Sequence, residues 1–190
     1  RPQPGQPLYD TLAAANFIAS EVDIGAQAAR WRRKKQYLRY GPTLHAFVLT
    51  HRCNHGCQYC HSSIVGMERT DTDMSIEVAE RAVDIAFETT ARGLTIEFQG
   101  GEPTANWEVL RHVVEYARQK NVVADKVLSF SLVTNLSLMD DEKLEYLLDR
   151  RVQLCTSLDG PADLHNQVRI FKNGNSHELA VAWMKKINQR

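Results

Sequence analysis

The sequence predicts an α/β fold built on a parallel sheet and preceded by a short helical segment. Two observations carry this expectation. Short apolar runs suited to strands alternate with longer stretches whose apolar residues recur at helical spacing, an order that implies βα units joined by right-handed crossovers. The residues with chemical character also cluster just after the strands, where parallel sheets bind their ligands.

Residues 1–40 read as a separate unit, with Pro2, Pro4 and Pro7 making a loose start and residues 8–20 and 24–39 helical. Its basic run, Arg30-Trp31-Arg32-Arg33-Lys34-Lys35, carries the charge to grip an acidic peptide or nucleic acid. The favoured reading is a solvated helix face packed by Trp31 and Leu38, and no nucleic-acid partner is inferred. From residue 41 the alternation begins. The first strand is residues 44–50. A helix over 76–90 follows, with Ser75 as its N-cap, Gly93 past its end, and Ile76, Ala79, Val83, Ala86 and Phe87 on one face. The second strand is 94–98, then a helix over 107–119 with Asn106 as cap and Leu110, Val113, Val114 and Ala117 inward. The third strand, 127–133, leads to a helix over 141–150 carrying Leu144, Leu147 and Leu148. The fourth strand is 152–157, and a last helix starts near His177 with Leu179, Ala180, Trp183, Met184 and Ile187.

Lys+Arg and Asp+Glu each number 23, so the charge balance gives no argument for nucleic acid or membrane as a partner. No apolar stretch is long enough to span a bilayer. Three of the four cysteines are clustered, which is not a disulfide framework and leads us to expect a reducing, cytoplasmic setting.

That cluster is His51-Arg52-Cys53-Asn54-His55-Gly56-Cys57-Gln58-Tyr59-Cys60-His61, a C-x3-C-x2-C array in the loop leaving the first strand. Three thiolates there can hold three irons of a [4Fe–4S] cube and leave the fourth iron open for a substrate or cofactor. Spacing alone leaves other readings standing. The thiols can be unliganded, or hold zinc together with His51, His55 or His61. Cys57 through His61 also matches the C-x-x-C-H pattern of c-type haem attachment, though no signal-like stretch accompanies it. A thioredoxin-like pair leaves Cys53 unexplained. The three histidines otherwise read as solvated loop residues. Cys155, in the fourth strand, is expected to point into the packed layer as a small hydrophobe.

A second motif, Gln99-Gly100-Gly101-Glu102-Pro103, follows the second strand, with glycines that let a ligand approach bare backbone. Together the two motifs resemble the radical S-adenosylmethionine (SAM) superfamily. The resemblance implies that Cys53, Cys57 and Cys60 bind a [4Fe–4S] cluster whose open iron chelates the amino and carboxylate groups of SAM. Tyr59 matches an aromatic position near the adenine, and Gln99, Gly100, Gly101 and Glu102 match the motif that holds the methionyl amino group. Reduction then cleaves SAM to a 5′-deoxyadenosyl radical that abstracts a substrate hydrogen. Thr134-Asn135 after the third strand and Ser157-Leu158-Asp159-Gly160-Pro161 after the fourth also occur in peptide-modifying members. Asn135, Ser157 and Asp159 are thereby expected at the cofactor, and Arg169 at its carboxylate or at the substrate. Turn formation alone is the competing reading for Asn135 and Asp159. Leu136 stands where the family usually has glycine, which removes easy access to left-handed backbone. If the glycine motif serves SAM alone, Gly101→Val is expected to weaken SAM binding and leave iron content near normal.

Residues 43–60 and 96–103 are similar, more narrowly, to maturases of the His-Xaa-Ser system, radical SAM enzymes that act on ribosomally made peptides. This resemblance implies the N-terminal part of a partial (β/α)6 TIM-like barrel spanning 41–190, a peptide substrate, and an electron donor such as flavodoxin or ferredoxin. About four βα units are expected, as a fragment without the C-terminal auxiliary-cluster domain. Another radical SAM maturase, such as a sulfatase-maturating type, and a non-catalytic iron–sulfur or zinc-binding protein are the alternatives. No general base or other catalytic side chain is assigned.

Overall fold

The computed structural model describes residues 2–190, the side chain of Glu21 excepted. The chain divides into two compact units, Arg1–Gly41 and Pro42–Arg190. The helices are α1 (Pro7–Ala14), α2 (Ile24–Lys34), α3 (Ile76–Phe87), α4 (Trp107–Ala124), α5 (Asp141–Asp149), α6 (Ala162–Val168) and α7 (Ser176–Ile187). The strands are β1 (Leu44–Val48), β2 (His55–Cys57), β3 (Gly93–Gln99), β4 (Val127–Val133), β5 (Val152–Cys155) and β6 (Arg169–Phe171).

In the larger unit β1, β3, β4 and β5 lie side by side in that order, every pair parallel, with a helix in each connection. This is the α/β sheet the alternation predicts, in the open arrangement of a partial TIM-like barrel. The register sorts the side chains by face. Leu94, Ile96 and Phe98 of β3 and Phe130 and Leu132 of β4 enter one apolar core with Val83 and Ala86 of α3, Leu110, Val113 and Val114 of α4, and Leu144 and Leu147 of α5. The other face is largely polar, with Thr95, Glu97 and Gln99 on β3 and Ser129 and Ser131 on β4, and the hydroxyls of Thr95 and Ser129 are 2.8 Å apart. α7 joins the core less completely, through Leu179, Trp183, Met184 and Ile187.

Local chemistry sets the helix ends. The Ser75 hydroxyl accepts from the Val78 N–H, and the Asp140 and Asn175 side chains accept from the N–H groups of Lys143 and Glu178. Gly93 does not cap α3, which stops at Phe87 with a right-handed Glu88; the glycine opens β3 instead. Asn106 is not the side-chain cap of α4. Its amide is buried and donates to the carbonyls of Leu49 (2.9 Å) and Met74 (3.0 Å), tying the exit of β1 to the entry of α3. Ile76, at the first position of α3, is 38% exposed, unlike Ala79, Val83, Ala86 and Phe87 further along the helix.

In β5, Val152 is buried while Gln153 and Cys155 point to the opposite, exposed face, so Cys155 is not in the packed layer. The short strands β2 and β6 pair antiparallel in a separate ribbon, His55 opposite Phe171 and Cys57 opposite Arg169. Three residues are too few to show a period, and this ribbon has no sequence signal.

In the smaller unit Asp23 caps α2 by accepting from the Ala26 N–H (2.9 Å). Neither α1 nor α2 buries a residue. Trp31 is 56% exposed and Leu38 65%, so the packed helix face expected there does not form. The ammonium groups of Lys34 and Lys35 lie over the Trp31 ring, each 5.8 Å from its centroid. Among the described residues no helix is long and apolar enough to cross a membrane.

Leu132 is fully buried between the sheet and its helices, whereas Val123 is 91% exposed. We expect Leu132→Ala to cost about 2–5 kcal/mol of unfolding free energy through lost contacts and a residual cavity. Val123→Ala should stay within about 0.5 kcal/mol. Urea unfolding of the two variants followed by circular dichroism checks both, and equal midpoints would contradict the core assignment.

Candidate functional site

A cavity of about 270 Å³ opens where the strands end, lined by the three clustered cysteines, Tyr59, Gln99, Gly100, Gly101, Asn135, Ser157 and Arg169. The site is built by backbone first. The β1–β3 pairing continues past the strands: Leu49 N–H donates to Gln99 O (2.9 Å), Gly101 N–H to Thr50 O (2.9 Å) and Glu102 N–H to Arg52 O (2.7 Å). This brings the second motif directly against the start of the cysteine loop. A Cβ on Gly100, whose φ is +147°, would sit 2.3 Å from Thr50 O, and one on Gly101 2.3 Å from Arg52 O. Both glycines are required by the approach of protein backbone, beyond any demand from a ligand.

Side chains then fix the loop. Arg52 donates through Nε to Asp73 Oδ1 (2.8 Å) and through Nη2 to Ala105 O (2.7 Å), in a pair whose side chains are 12% and 20% exposed. Asp73 Oδ1 also accepts from the Thr50 hydroxyl (2.6 Å). The β2–β6 ribbon holds Cys57, and Gln58 N–H donates to Val168 O (2.9 Å). A turn closed by Cys60 N–H donating to Cys57 O (3.1 Å) brings the third thiol back to the cavity. Neither the Arg52–Asp73 pair nor the ribbon was foreseen; an arginine beside the first cysteine was the one available signal.

Glu102 is wholly buried and does not line the cavity. Its Oε1 accepts from Thr104 N–H (3.2 Å), from the Thr104 hydroxyl and from the Thr134 hydroxyl (2.7 Å); its Oε2 accepts from Asn135 N–H (2.8 Å). Burial pushes its carboxyl above the usual range, against the pull of these donors. Asn135 reaches the cavity, its amide donating to Asn54 Oδ1 (3.2 Å) and lying 3.8 Å from Cys53 Sγ. Leu136 takes a left-handed conformation (φ 63°) that a glycine would adopt without strain. The strain of about 1–2 kcal/mol is offset by burying the side chain, which is 1% exposed.

Asp159 stands back from the cavity wall, paired with Arg169 Nε (2.8 Å) and accepting from the Tyr59 hydroxyl. Burial acts to raise its carboxyl, but the Tyr59 and Arg169 hydrogen bonds outweigh it and hold it below the usual range. Tyr59 is pushed up to about 12 by burial and by donating to Asp159. The Arg169 guanidinium lies over the Tyr59 ring, 5.5 Å from its centroid, and 4.0 Å from Cys57 Sγ. His55, expected in solvent, is 5% exposed. Burial pushes the Cys53 thiol up to about 11 and raises Cys57 as well. A metal taking them as thiolates must displace their protons.

All four cysteines are free. Among the described residues no three His, Cys, Asp or Glu side chains converge closely enough to hold one metal ion. The three clustered thiols line one cavity instead.

The fold is an α/β domain whose parallel sheet carries a thiol-lined cavity at the carboxyl ends of its strands. The family model of the radical SAM superfamily matches residues 47–190, and the chain belongs to that superfamily. It is 32% identical over 149 residues to the PqqA peptide cyclase of Rhodopseudomonas palustris, covering 74% of this chain and 35% of that protein. To a cysteine-type anaerobic sulfatase-maturating enzyme of Clostridium perfringens it is 31% identical over 118 residues, covering 60% and 32%. The solved structure of native anSMEcpe with bound AdoMet superposes with a TM-score of 0.64 at 28% identity, over 76% of this chain and 41% of that one. The chain spans between 27% and 43% of the length of the first curated relatives it matches.

Two outcomes follow from this geometry. Glu102→Ala strands the donors of Thr104, Thr134 and Asn135 in a buried site; we expect a loss of about 2–5 kcal/mol, read as a lower urea midpoint, and a smaller loss for Glu102→Gln. Gly101→Val drives a side chain into the Arg52 carbonyl beside Cys53, so iron content after reconstitution should fall together with SAM affinity. Normal iron with weakened SAM binding would return the glycine to a role at the ligand alone.

Proposed function

We propose that this chain is the cofactor-binding part of a radical SAM enzyme that modifies a ribosomally synthesised peptide, of the His-Xaa-Ser maturase type. One observation carries the reading: the three thiols open onto a single cavity together with Gly100, Gly101 and the ends of β4 and β5. Cys53, Cys57 and Cys60 would hold a [4Fe–4S] cluster, with SAM beside it. Bound there and reduced, the pair supplies a 5′-deoxyadenosyl radical that takes a hydrogen atom from the substrate. Gln99, Gly100 and Gly101 border the methionyl end and leave bare backbone for it to approach. Asn135 and Ser157 offer polar groups from the ends of neighbouring strands, and Tyr59 gives an aromatic wall for the adenine. Arg169 brings positive charge to the cavity, where a carboxylate can meet it. Glu102 and Asp159 work one layer back: the first orients the Thr134-Asn135 turn, the second holds Tyr59 and Arg169 in place.

The peptide substrate is supported by the relatives, a peptide cyclase and sulfatase-maturating enzymes, and by a neighbour solved with AdoMet and the Cp18Cys peptide. The last of these favours a second reading, a sulfatase-type maturase acting on a Cys or Ser side chain. A low-potential donor such as flavodoxin or ferredoxin would supply the electron, since iron–sulfur potentials reach down to about −700 mV.

The test is anaerobic reconstitution with iron and sulfide, dithionite reduction, and EPR with and without SAM. We expect a reduced-cluster signal that changes on adding SAM and is lost in Cys57→Ala. A signal indifferent to SAM, with no 5′-deoxyadenosine formed by the full-length protein, would support a non-catalytic iron–sulfur protein. Zinc retained in place of iron would refute the radical reading.

A further inference from the structure

β2 alternates like any strand, so His55 and Cys57, two residues apart, project from the same face of the β2–β6 ribbon. Phe171 and Arg169 share that face on the partner strand. The His55 ring packs on Phe171 with centroids 4.8 Å apart, and it borders the same cavity as the three clustered cysteines. Both of its ring nitrogens are buried without a hydrogen-bond partner. A neutral imidazole carries one donor and one acceptor, and burying either unmade is costly. Glu102, equally buried, has every donor it needs from the protein. The histidine has none.

We infer that His55 is a positioning residue for the iron–sulfur centre: its ring N–H donates a hydrogen bond to a sulfur of that centre and thereby sets its reduction potential. The inference rests on the proposed cluster site. Hydrogen bonds to the sulfurs are among the determinants of such potentials. A donor stabilises the more negative, reduced form, so it makes reduction easier. The ring packs against Phe171 at an interplanar angle of 31°, and the backbone N–H of His55, 3.5 Å from Cys53 Sγ, adds a second donor from the same residue. His55 thus offers hydrogen bonds toward the cluster site from both its backbone and its side chain.

The experiment compares wild type, His55→Phe and His55→Gln after anaerobic reconstitution, by EPR-monitored redox titration. The Phe ring preserves the contact with Phe171 and removes the donor; the Gln amide keeps a donor. We expect equal iron content, a more negative midpoint for His55→Phe, and a midpoint for His55→Gln between that and wild type. Hyperfine spectroscopy of the reduced protein labelled with 15N-histidine should also show a nitrogen coupling that disappears in His55→Gln. That measurement decides the matter if His55→Phe loads iron poorly. An unchanged midpoint in His55→Phe, or no histidine coupling in the wild-type signal, overturns the inference. If wild type gives a SAM-responsive cluster and the midpoints agree, only the role of His55 fails; if wild type takes up no cluster, the proposed function itself has failed.

Discussion

The contact on which the rest of the site depends is backbone against backbone. Where β1 and β3 end, their pairing runs on through Thr50, Arg52, Gly101 and Glu102, at a separation that leaves no room for a Cβ on either glycine. Parallel strands ordinarily diverge into separate loops. Here two loops remain in register for several residues, so the segment that begins at Cys53 starts from a fixed point. The cavity is the space this contact leaves open between the cysteine loop and the ends of β4 and β5.

Two ionisable side chains, the half-buried Arg52 and the fully buried Glu102, hold the loops on either side of that contact, by different means. Arg52 is paired with Asp73 and also donates to Ala105 O, so the cation spans the cysteine loop, the segment before α3 and the turn before α4. Buried pairs gain little net stability over apolar packing, but breaking one leaves an uncompensated charge. Glu102 has no cation beside it among its hydrogen-bonding partners. It is held by hydroxyl and amide donors drawn from two loops, which fixes the direction of the Thr134-Asn135 turn. Leu136, next in the chain, is left-handed, and burying its side chain offsets the strain that a glycine would have avoided.

Much of this was legible in the sequence, for reasons specific to each element. The core faces of α4 and α5 follow from apolar spacing, because helices packed on one side show their period directly. The positions of the cysteines, the glycine pair and Asn135 around one cavity follow from their places after successive strands. What the sequence hid is whatever depends on partners distant along the chain. Asn106 looks like a cap in sequence and bridges two carbonyls in space. Three-residue β2 carries no period, so burial of His55 could be learned only from its pairing with β6. Cys155 departs from the expected packed layer, and the sequence carries a signal for it: Gln153, two residues earlier, marks that face of β5 as the polar one.

Hydrogen-bond accounting separates the residues that build the site from those left to act in it. Glu102 and Asp159 within the motifs, and Asp73 and Asn106 outside them, are charged or polar, and each is paired within the protein. Such groups gain nothing from turning to a ligand, since any new partner must be better than the one given up. The clustered thiols line the cavity outside any disulfide and make only long contacts with the protein, 3.5–4.0 Å, and the bare backbone at Gly100 and Gly101 lies beside them. A sequence motif mixes both kinds of residue, because building the site and using it are equally exacting. Gly101 and Glu102, adjacent in the chain, illustrate the division: one borders the cavity, and the other is sealed behind it with its hydrogen bonds already made.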